Sequence, residues 1–432
     1  MFRRVNVCVL AIAAALAAVV SGGLAAQENK AGAGEQVIKT LPFGSDSFVP
    51  LPPMPVVYQT SDHKIRVVTV VDGLSRPWAI AFLPGGDILL TERTGQLRII
   101  RKGVLDPEPV RGVPDVVSLA RDGLMDIALH PNFAQNRFVY FTYTKPGIGK
   151  AVDMSADCKS SPLRTCVSAA FASRTPQAIT LARGRLDGKA LTDVKDLFVA
   201  DRWAPAPTIG SRIVFGKDGM LYMSIAGAAD DWMKSQTPNN DQGKVLRFRD
   251  DGTVPPDNPF VGKPGAKPEV YTLGHRNILG LAIHPETGAL WSSEMGPQGG
   301  DEIDILQAGR NYGWPEFSMG RDYSGIPFKP EGTVAGYEPP IVFWTPAIGI
   351  SGITFYRGDK FPKWKDSVFV GGMALPHIAR VVFNDRGQHV RREWLLLDLK
   401  QRIRDLREGP DGYMYVLTDA AKGALLRIEP AD

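Results

Sequence analysis

The sequence predicts an all-β protein, specifically a six-bladed β-propeller. One strand–turn–strand phrase recurs six times, and the chain is rich in turn residues, with 45 Gly and 34 Pro. The first copy, residues 76–91, reads Arg76-Pro77-Trp78-Ala79-Ile80-Ala81-Phe82-Leu83-Pro84-Gly85-Gly86-Asp87-Ile88-Leu89-Leu90-Thr91. The second, 123–142, carries Ile127-Ala128-Leu129-His130-Pro131, and the third, 210–227, carries Arg212-Ile213-Val214-Phe215 before Asp218-Gly219. The fourth, 277–297, contains Leu281-Ala282-Ile283-His284-Pro285. Residues 351–372 and 402–419 complete the set, the last with Pro410-Asp411-Gly412-Tyr413-Met414-Tyr415. Each copy is an apolar strand, a Gly/Asp turn and a second β-rich strand. Such a unit cannot bury its own face, so copies must stack. Closing them into a ring leaves only short, protected sheet edges.

The remaining elements follow in chain order. Residues 1–26 have Arg3-Arg4, an apolar run over 7–20 and small residues through Ala25-Ala26, the pattern of a secretory signal. No other stretch approaches ~20 apolar residues, so no membrane span is expected once the signal is removed. Residues 27–60, with Leu51-Pro52-Pro53-Met54-Pro55, read as an extended linker or strap. The propeller occupies 61–432, its first strand near Ile65–Val70, with an insertion at about 146–176. Cys158 and Cys166 lie in that insertion, and Cys8 leaves with the signal. An even pair in an exported chain suggests a disulfide, worth at most ~3 kcal/mol for so short a loop. Two free thiols on a surface insertion are the alternative. Charged residues make up 22% and the net charge is +4. With no basic run and no aromatic-basic stripe, a nucleic-acid partner is excluded from the reading. Walker, dinucleotide-type glycine and zinc-ligand spacings are absent as well.

Four polar segments interrupt the apolar repeats: Thr208-Ile209-Gly210-Ser211-Arg212, Gly274-His275-Arg276-Asn277, Glu294-Met295-Gly296-Pro297-Gln298-Gly299-Gly300-Asp301-Glu302, and Gln401-Arg402-Ile403-Arg404-Asp405. In a propeller the entry to each innermost strand lies by the central channel. Arg212, Arg276, Arg402 and Arg404 are therefore expected to converge there. Clustered guanidinium groups suit a polyanionic ligand, because they pair bidentately with carboxylate or phosphate. Blade-to-blade pairing with Asp301, Glu302 and Asp405 is the competing use of the same arginines. The turn at 296–302 offers backbone carbonyls and two carboxylates, Asp301 and Glu302, which suit a hard cation. A structural turn with surface acids is the alternative there.

From about Ile65 to Pro430 the chain resembles the soluble quinoprotein aldose (glucose) sugar dehydrogenases, six-bladed propellers that bind pyrroloquinoline quinone (PQQ) and Ca²⁺. The resemblance rests on Gly274–Asn277, the Glu294–Ile303 run with Asn311-Tyr312-Gly313-Trp314-Pro315, Gly358-Asp359-Lys360-Phe361-Pro362 and Arg402–Asp405. It implies that the carbonyls of Gly296 and Pro297 ligate Ca²⁺, that Arg276, Asn277, Arg402 and Arg404 hold the quinone, and that Trp344 lies at the substrate end. The cofactor would accept a hydride from the sugar, the protein orienting both.

The chain departs from the family at the reacting end. The family's general-base histidine falls on Thr208, and a usual glutamine falls on Arg121, which leaves Arg121 beside the cofactor. Leu279 and Met295 replace polar residues, and Ala374 stands where some members have lysine. Losing a positioned base costs ~10²–10⁴ in rate. Of the remaining histidines, His130 and His284 share one His-Pro slot in two blades and read as structural, whereas His377 is the best replacement base. The reading is therefore PQQ- and Ca²⁺-dependent oxidation of an aldose or related alcohol by a periplasmic or secreted protein, with an unnamed electron acceptor. A non-redox ligand- or carbohydrate-binding propeller, or one with other chemistry such as lactone hydrolysis, stands beside it.

Overall fold

The computed structural model describes residues 49–118, 121–147, 152–153, 173–174, 177–201, 210–227, 231–323, 325–328 and 335–432. All six sequence repeats are the two innermost strands of six antiparallel sheets. Blade 1 is Pro77–Phe82, Ile88–Glu92, Gln96–Arg101 and Val104–Leu105; blade 2 is Leu124–Leu129, Phe138–Pro146, Gln177–Asp187 and Ala190–Val199. Blade 3 is Ile213–Phe215, Leu221–Ile225, Lys244–Phe248 and Val270–Leu273. Blade 4 is Ile278–Ile283, Leu290–Glu294, Asp301–Leu306 and Val342–Trp344, and blade 5 is Ile350–Phe355, Val368–Gly372, His377–Phe383 and His389–Leu395. Blade 6 begins with Ile403–Glu408, Met414–Thr418 and Gly423–Pro430, and is completed from the other end of the chain by Lys64–Leu74 and Val56–Gln59. That N-terminal closure pairs Ile65 with Pro430 and Leu74 with Gly423, so the ring is sealed by backbone bonds rather than by side chains alone. Residues 56–59 of the expected extended linker or strap form an edge strand, paired Val56 to Val67.

Burial is most complete along the second strand in five of the six repeats. Ile88–Glu92, Leu221–Ile225, Leu290–Glu294, Val368–Gly372 and Met414–Thr418 are buried along their whole length, sandwiched between neighbouring blades. Outer strands such as His389–Leu395 alternate toward solvent. The turns repeat their chemistry too. In blades 3 and 6 an Asp-Gly turn places Gly219 and Gly412 at φ 76° and 78°, where a side chain is disfavoured. The aspartate caps the turn: Asp218 accepts from the Met220 N–H and the Tyr222 hydroxyl, and Asp411 from the Tyr413 N–H and the Tyr415 hydroxyl.

A hydroxyl at one repeat position stitches blades 1 to 4 each to the next. Thr91 donates to the Met125 carbonyl, Thr142 to Ser211, Ser224 to Ile278 and Ser293 to Ser351, each on the following inner strand or its entry. Blade 5 has Gly371 at that position, and Ser351 donates to Ile403 in its place at 2.6 Å. A Cβ on Gly371 would lie 2.4 Å from that Ser351 hydroxyl, so the glycine makes room for the substitute.

Beneath the channel mouth, Arg212 is buried at 2% exposure and ion-paired to Asp126 at 3.3 Å and Asp405 at 3.1 Å. Its Nε donates to the Leu279 carbonyl at 2.6 Å, an Nη donates to the Arg404 carbonyl at 3.2 Å, and its guanidinium sits 4.1 Å over the Trp78 ring. Arg407 bridges the same two aspartates. Arg212, expected in the ligand cluster, is instead a strut joining blades 2, 3, 4 and 6. The geometric reason is its register: it enters a short inner strand whose Ile213 N–H bonds Asp126 at 2.8 Å, which sets the Arg212 guanidinium against the same carboxylate.

Candidate functional site

One end of the ring collects the starts of the inner strands and the ends of the second strands. Arg93 follows the second strand of blade 1, Arg121 precedes blade 2, Arg276 and Asn277 enter blade 4, and Arg402 and Arg404 enter blade 6. These arginines lie close enough to perturb one another. Burial first, with Arg276, Arg402 and Arg404, pulls Arg121 down to about 10 against the influence of Tyr323. Burial and Arg404 likewise pull Arg93 down to about 10. Two carboxylates face the five guanidinium groups. Asp419 accepts from Nε and Nη of Arg402 at 3.0 and 2.7 Å and from Nε and Nη of Arg404 at 3.1 and 2.7 Å. Although burial opposes it, the charges of Arg404, Arg402 and Arg93 hold the Asp419 carboxyl far below the usual carboxylate range. Asp122, bonded by Gln177 at 2.9 Å, is the other. The cluster therefore keeps a strong positive excess among the described residues, as a multiply anionic ligand requires.

The Gly274–Asn277 segment is shaped from below by Glu294. Its carboxylate accepts from the backbone N–H groups of Arg276 and Asn277 and bonds His275 Nδ1 at 2.8 Å. His275 is buried, stacked on Tyr312 with ring centroids 4.8 Å apart, its Nε2 on the Thr272 hydroxyl. Arg276 then reaches the carbonyls of Met295 and Gly296 at 2.8 and 3.0 Å and the Tyr323 hydroxyl at 3.3 Å. The buried Asn277 Oδ1 has no partner among the described residues. The positive excess fits an anionic cofactor of the PQQ kind, and the orphan acceptor fits an N–H or O–H donor on the same polar molecule.

Gly296 sits where nothing larger fits: a Cβ would lie 2.3 Å from the Gly299 carbonyl oxygen. Asp301, expected as a cation ligand, fastens this turn. Its two oxygens accept from the Gly296 and Ile350 N–H groups at 2.9 and 2.8 Å. Burial pushes its carboxyl up to about 6 against those bonds. Glu302 has a different setting. With Glu294 and Asp304 it brings carboxylate oxygens within 4.8 Å of one another. Burial and then the neighbouring carboxylates push Glu302 and Asp304 well above the ordinary range. Mutually repelling, poorly solvated oxygens of this kind fit a hard divalent cation.

The other expected positions resolve differently. Trp344 pairs across from Asp301 and packs with Leu279, Met295 and Ile348, so the two apolar replacements lie in a buried seam between blades 4 and 5. His377 is fully buried, its Nδ1 on the Leu375 carbonyl at 2.8 Å and its ring against Trp394. Burial pulls it down to about 4, and none of the clustered arginines is among the groups that perturb it. Thr208, Cys158 and Cys166 lie outside the described residues. Arg93, Asp419 and Tyr323 were missed as contributors by sequence reasoning, and Glu294 was singled out there only as part of a polar segment. For two of them a signal existed: Arg93 and Asp419 are charged residues directly after buried second strands.

Fold and site together define a propeller whose channel mouth gathers guanidinium groups beside a polar, oxygen-rich turn. A glucose/sorbosone dehydrogenase family profile matches residues 74–427, and the chain belongs to that family. It is 37% identical over 374 residues to the aldose sugar dehydrogenase YliI of Escherichia coli, covering 85% of this chain and 93% of that one. The structure matches the apo-form of the soluble aldose sugar dehydrogenase from Escherichia coli with a TM-score of 0.75 and 35% identity, covering 85% and 100% of the two chains. It matches the PQQ-bound aldose sugar dehydrogenase of Streptomyces coelicolor with a TM-score of 0.63 and 25% identity, covering 88% and 100%. Among the described residues no helix is long and apolar enough to cross a membrane.

Proposed function

We propose that this chain binds PQQ at the arginine-lined channel mouth, with Ca²⁺ beside it, and oxidises an aldose after export to the periplasm or beyond. The observation that carries the reading is the convergence of Arg93, Arg121, Arg276, Arg402 and Arg404 on a site with two facing carboxylates and the orphan Asn277 Oδ1. When bound, such a quinone supplies the two-electron acceptor for alcohol oxidation. The chain supplies the rest. Arg276 and Arg404 hold the anionic groups, and Asn277 offers its amide. Glu294 fixes the backbone that carries Arg276 and Asn277, and Asp419 holds Arg402 and Arg404 side by side against their repulsion. Arg402 also donates its remaining Nη to the Met373 carbonyl at 2.9 Å, which fixes it beside Arg404. The carbonyls of Gly296 and Pro297 are the proposed Ca²⁺ ligands next to the quinone, and Glu294, Glu302 and Asp304 a second cation position.

Thr208 is no base near neutral pH, so proton removal from the sugar is slow unless another group takes the proton. Titration calorimetry of the protein with PQQ, with and without Ca²⁺, tests the cofactor. Tight Ca²⁺-dependent binding is expected, and absence of binding would return the arginine cluster to the non-redox reading. Thr208→His is expected to raise dye-linked aldose oxidation by ~10²-fold or more. No change would place the sugar elsewhere.

A further inference from the structure

A second surface adjoins the arginine cluster and is built from aromatic rings. Trp232 opens the short 3₁₀ turn Trp232–Gln236, which follows the second strand of blade 3. Its ring centroid lies 4.9 Å from Trp314 and 6.1 Å from Phe328, and Trp314 and Phe328 are 4.8 Å apart. The three rings come from three separate stretches of chain and are held from two sides. Gln236 donates to the Trp314 carbonyl at 2.6 Å and exchanges amide bonds with Asn311, which locks the Trp232 turn to the Asn311–Pro315 segment. The segment bearing Tyr323 and Phe328 stands on the cation turn through the pairing of Gln298–Gly299 with Gly320–Arg321, followed by a bridge from Arg321 to Pro327.

Trp314 is the inner ring. It is buried, its Nε1 N–H has no acceptor among the described residues, and the Arg276 guanidinium lies 5.5 Å from its ring. Trp232 and Phe328 are only partly buried. Tyr323, whose hydroxyl meets Arg276, is 41% exposed. The part-open faces of Trp232, Phe328 and Tyr323 leave apolar area available beside a charged site. A ligand with one apolar face and a polar rim would use both features. A pyranose ring has that form: its C–H face packs on an aromatic face, and its hydroxyls pair with guanidinium, phenol and indole N–H groups.

We infer that Trp232 and Phe328, backed by Trp314 and flanked by Tyr323, form the platform on which the pyranose ring of the substrate stacks beside Arg276. This inference rests on the sugar-oxidising reading of the site and adds the residues that select for a sugar ring. Methyl α-D-glucopyranoside is a suitable probe, since its blocked anomeric oxygen lets it bind without turnover. Its affinity is measured by ligand-detected NMR titration of the PQQ- and Ca²⁺-loaded protein, with PQQ affinity measured separately. Trp232→Ala and Phe328→Ala are each expected to weaken the glucoside about tenfold and leave PQQ affinity unchanged, and Trp232→Phe, which keeps a ring, to stay within about threefold of wild type. In turnover with glucose the same two alanine variants should raise KM and leave kcat nearly unchanged. Wild-type glucoside affinity in both alanine variants would overturn the platform, as would failure of the wild-type protein to bind the glucoside. If PQQ itself does not bind, the proposed function fails separately. Titration of the unloaded protein then decides the platform by the same comparison.

Discussion

Replacing Arg212 by methionine separates the two uses of arginine in this fold. Arg212 is fully enclosed and neutralises Asp126 and Asp405 together with Arg407. Removing one partner of a buried ion pair costs ~3–5 kcal/mol, because the remaining charge is left uncompensated. Here Arg407 stays on both aspartates, so one negative charge is stranded rather than two. The Leu279 and Arg404 carbonyls also lose donors, at ~1 kcal/mol each. Methionine recovers part of the packing against Trp78. The net expectation is a loss of about 4 kcal/mol at pH 8. The deficit has a pH signature. Asp126 is already pushed up by burial, with Arg212 and Arg407 holding it down, and loss of Arg212 pushes it up further. A carboxyl whose folded pKa is raised stabilises the fold when protonated and loses that contribution as pH rises. The variant should therefore recover part of its stability between pH 8 and pH 5. Urea unfolding followed by tryptophan fluorescence at both values measures it. A loss below about 1 kcal/mol at pH 8, or a PQQ affinity that collapses while stability holds, would refute the strut assignment and return Arg212 to the ligand site.

Further outcomes follow from the same geometry. Arg404→Ala is expected to weaken PQQ about 10- to 100-fold, the range for one lost charge-assisted contact, read by calorimetry with Arg212→Met as the unaffected comparison. Gly296→Ala forces a Cβ to within 2.3 Å of the Gly299 carbonyl oxygen, so the turn must move; Ca²⁺ should then no longer strengthen PQQ binding, and an unchanged Ca²⁺ response would remove the turn from the cation site. His377 is held down to about 4 by burial, whereas an unfolded histidine titrates near ~6.5. Its contribution is therefore complete above pH ~6.5 and is lost as pH falls toward 4, up to about 3 kcal/mol. His377→Gln should flatten the acid limb of the stability profile, and an unaltered limb would mean that other groups set it.

Much of this architecture is written locally. The alternation and Asp-Gly turns of each repeat dictate a hairpin, because an amphipathic strand pair must bury one face and a left-handed turn position favours glycine. The stitching hydroxyls at Thr91, Thr142, Ser224 and Ser293 recur at one position of the repeat, and Gly274–Asn277 and Gly296–Asp301 mark the site by their polarity amid apolar strands. Ring closure by Lys64–Leu74 was not legible, since strand pairing between residues 349 to 365 positions apart leaves no local pattern. Nor was the division of labour among the charged groups. Arg212 and Arg404 look alike in sequence, each near the start of an inner strand. Only the tertiary structure seals the first between Asp126 and Asp405 and sets the second on Asp419 at the channel mouth. The same holds for Asp301 and Glu302, adjacent in the chain and pointing to opposite faces of one strand. One is consumed by the Gly296 and Ile350 N–H groups, and the other is turned toward Glu294 and Asp304. The sequence by itself determined the propeller and the set of candidate side chains, because periodicity and turn chemistry are local. Which of those side chains hold the fold and which face a ligand was decided by packing, because burial and charge pairing depend on what the rest of the ring brings alongside.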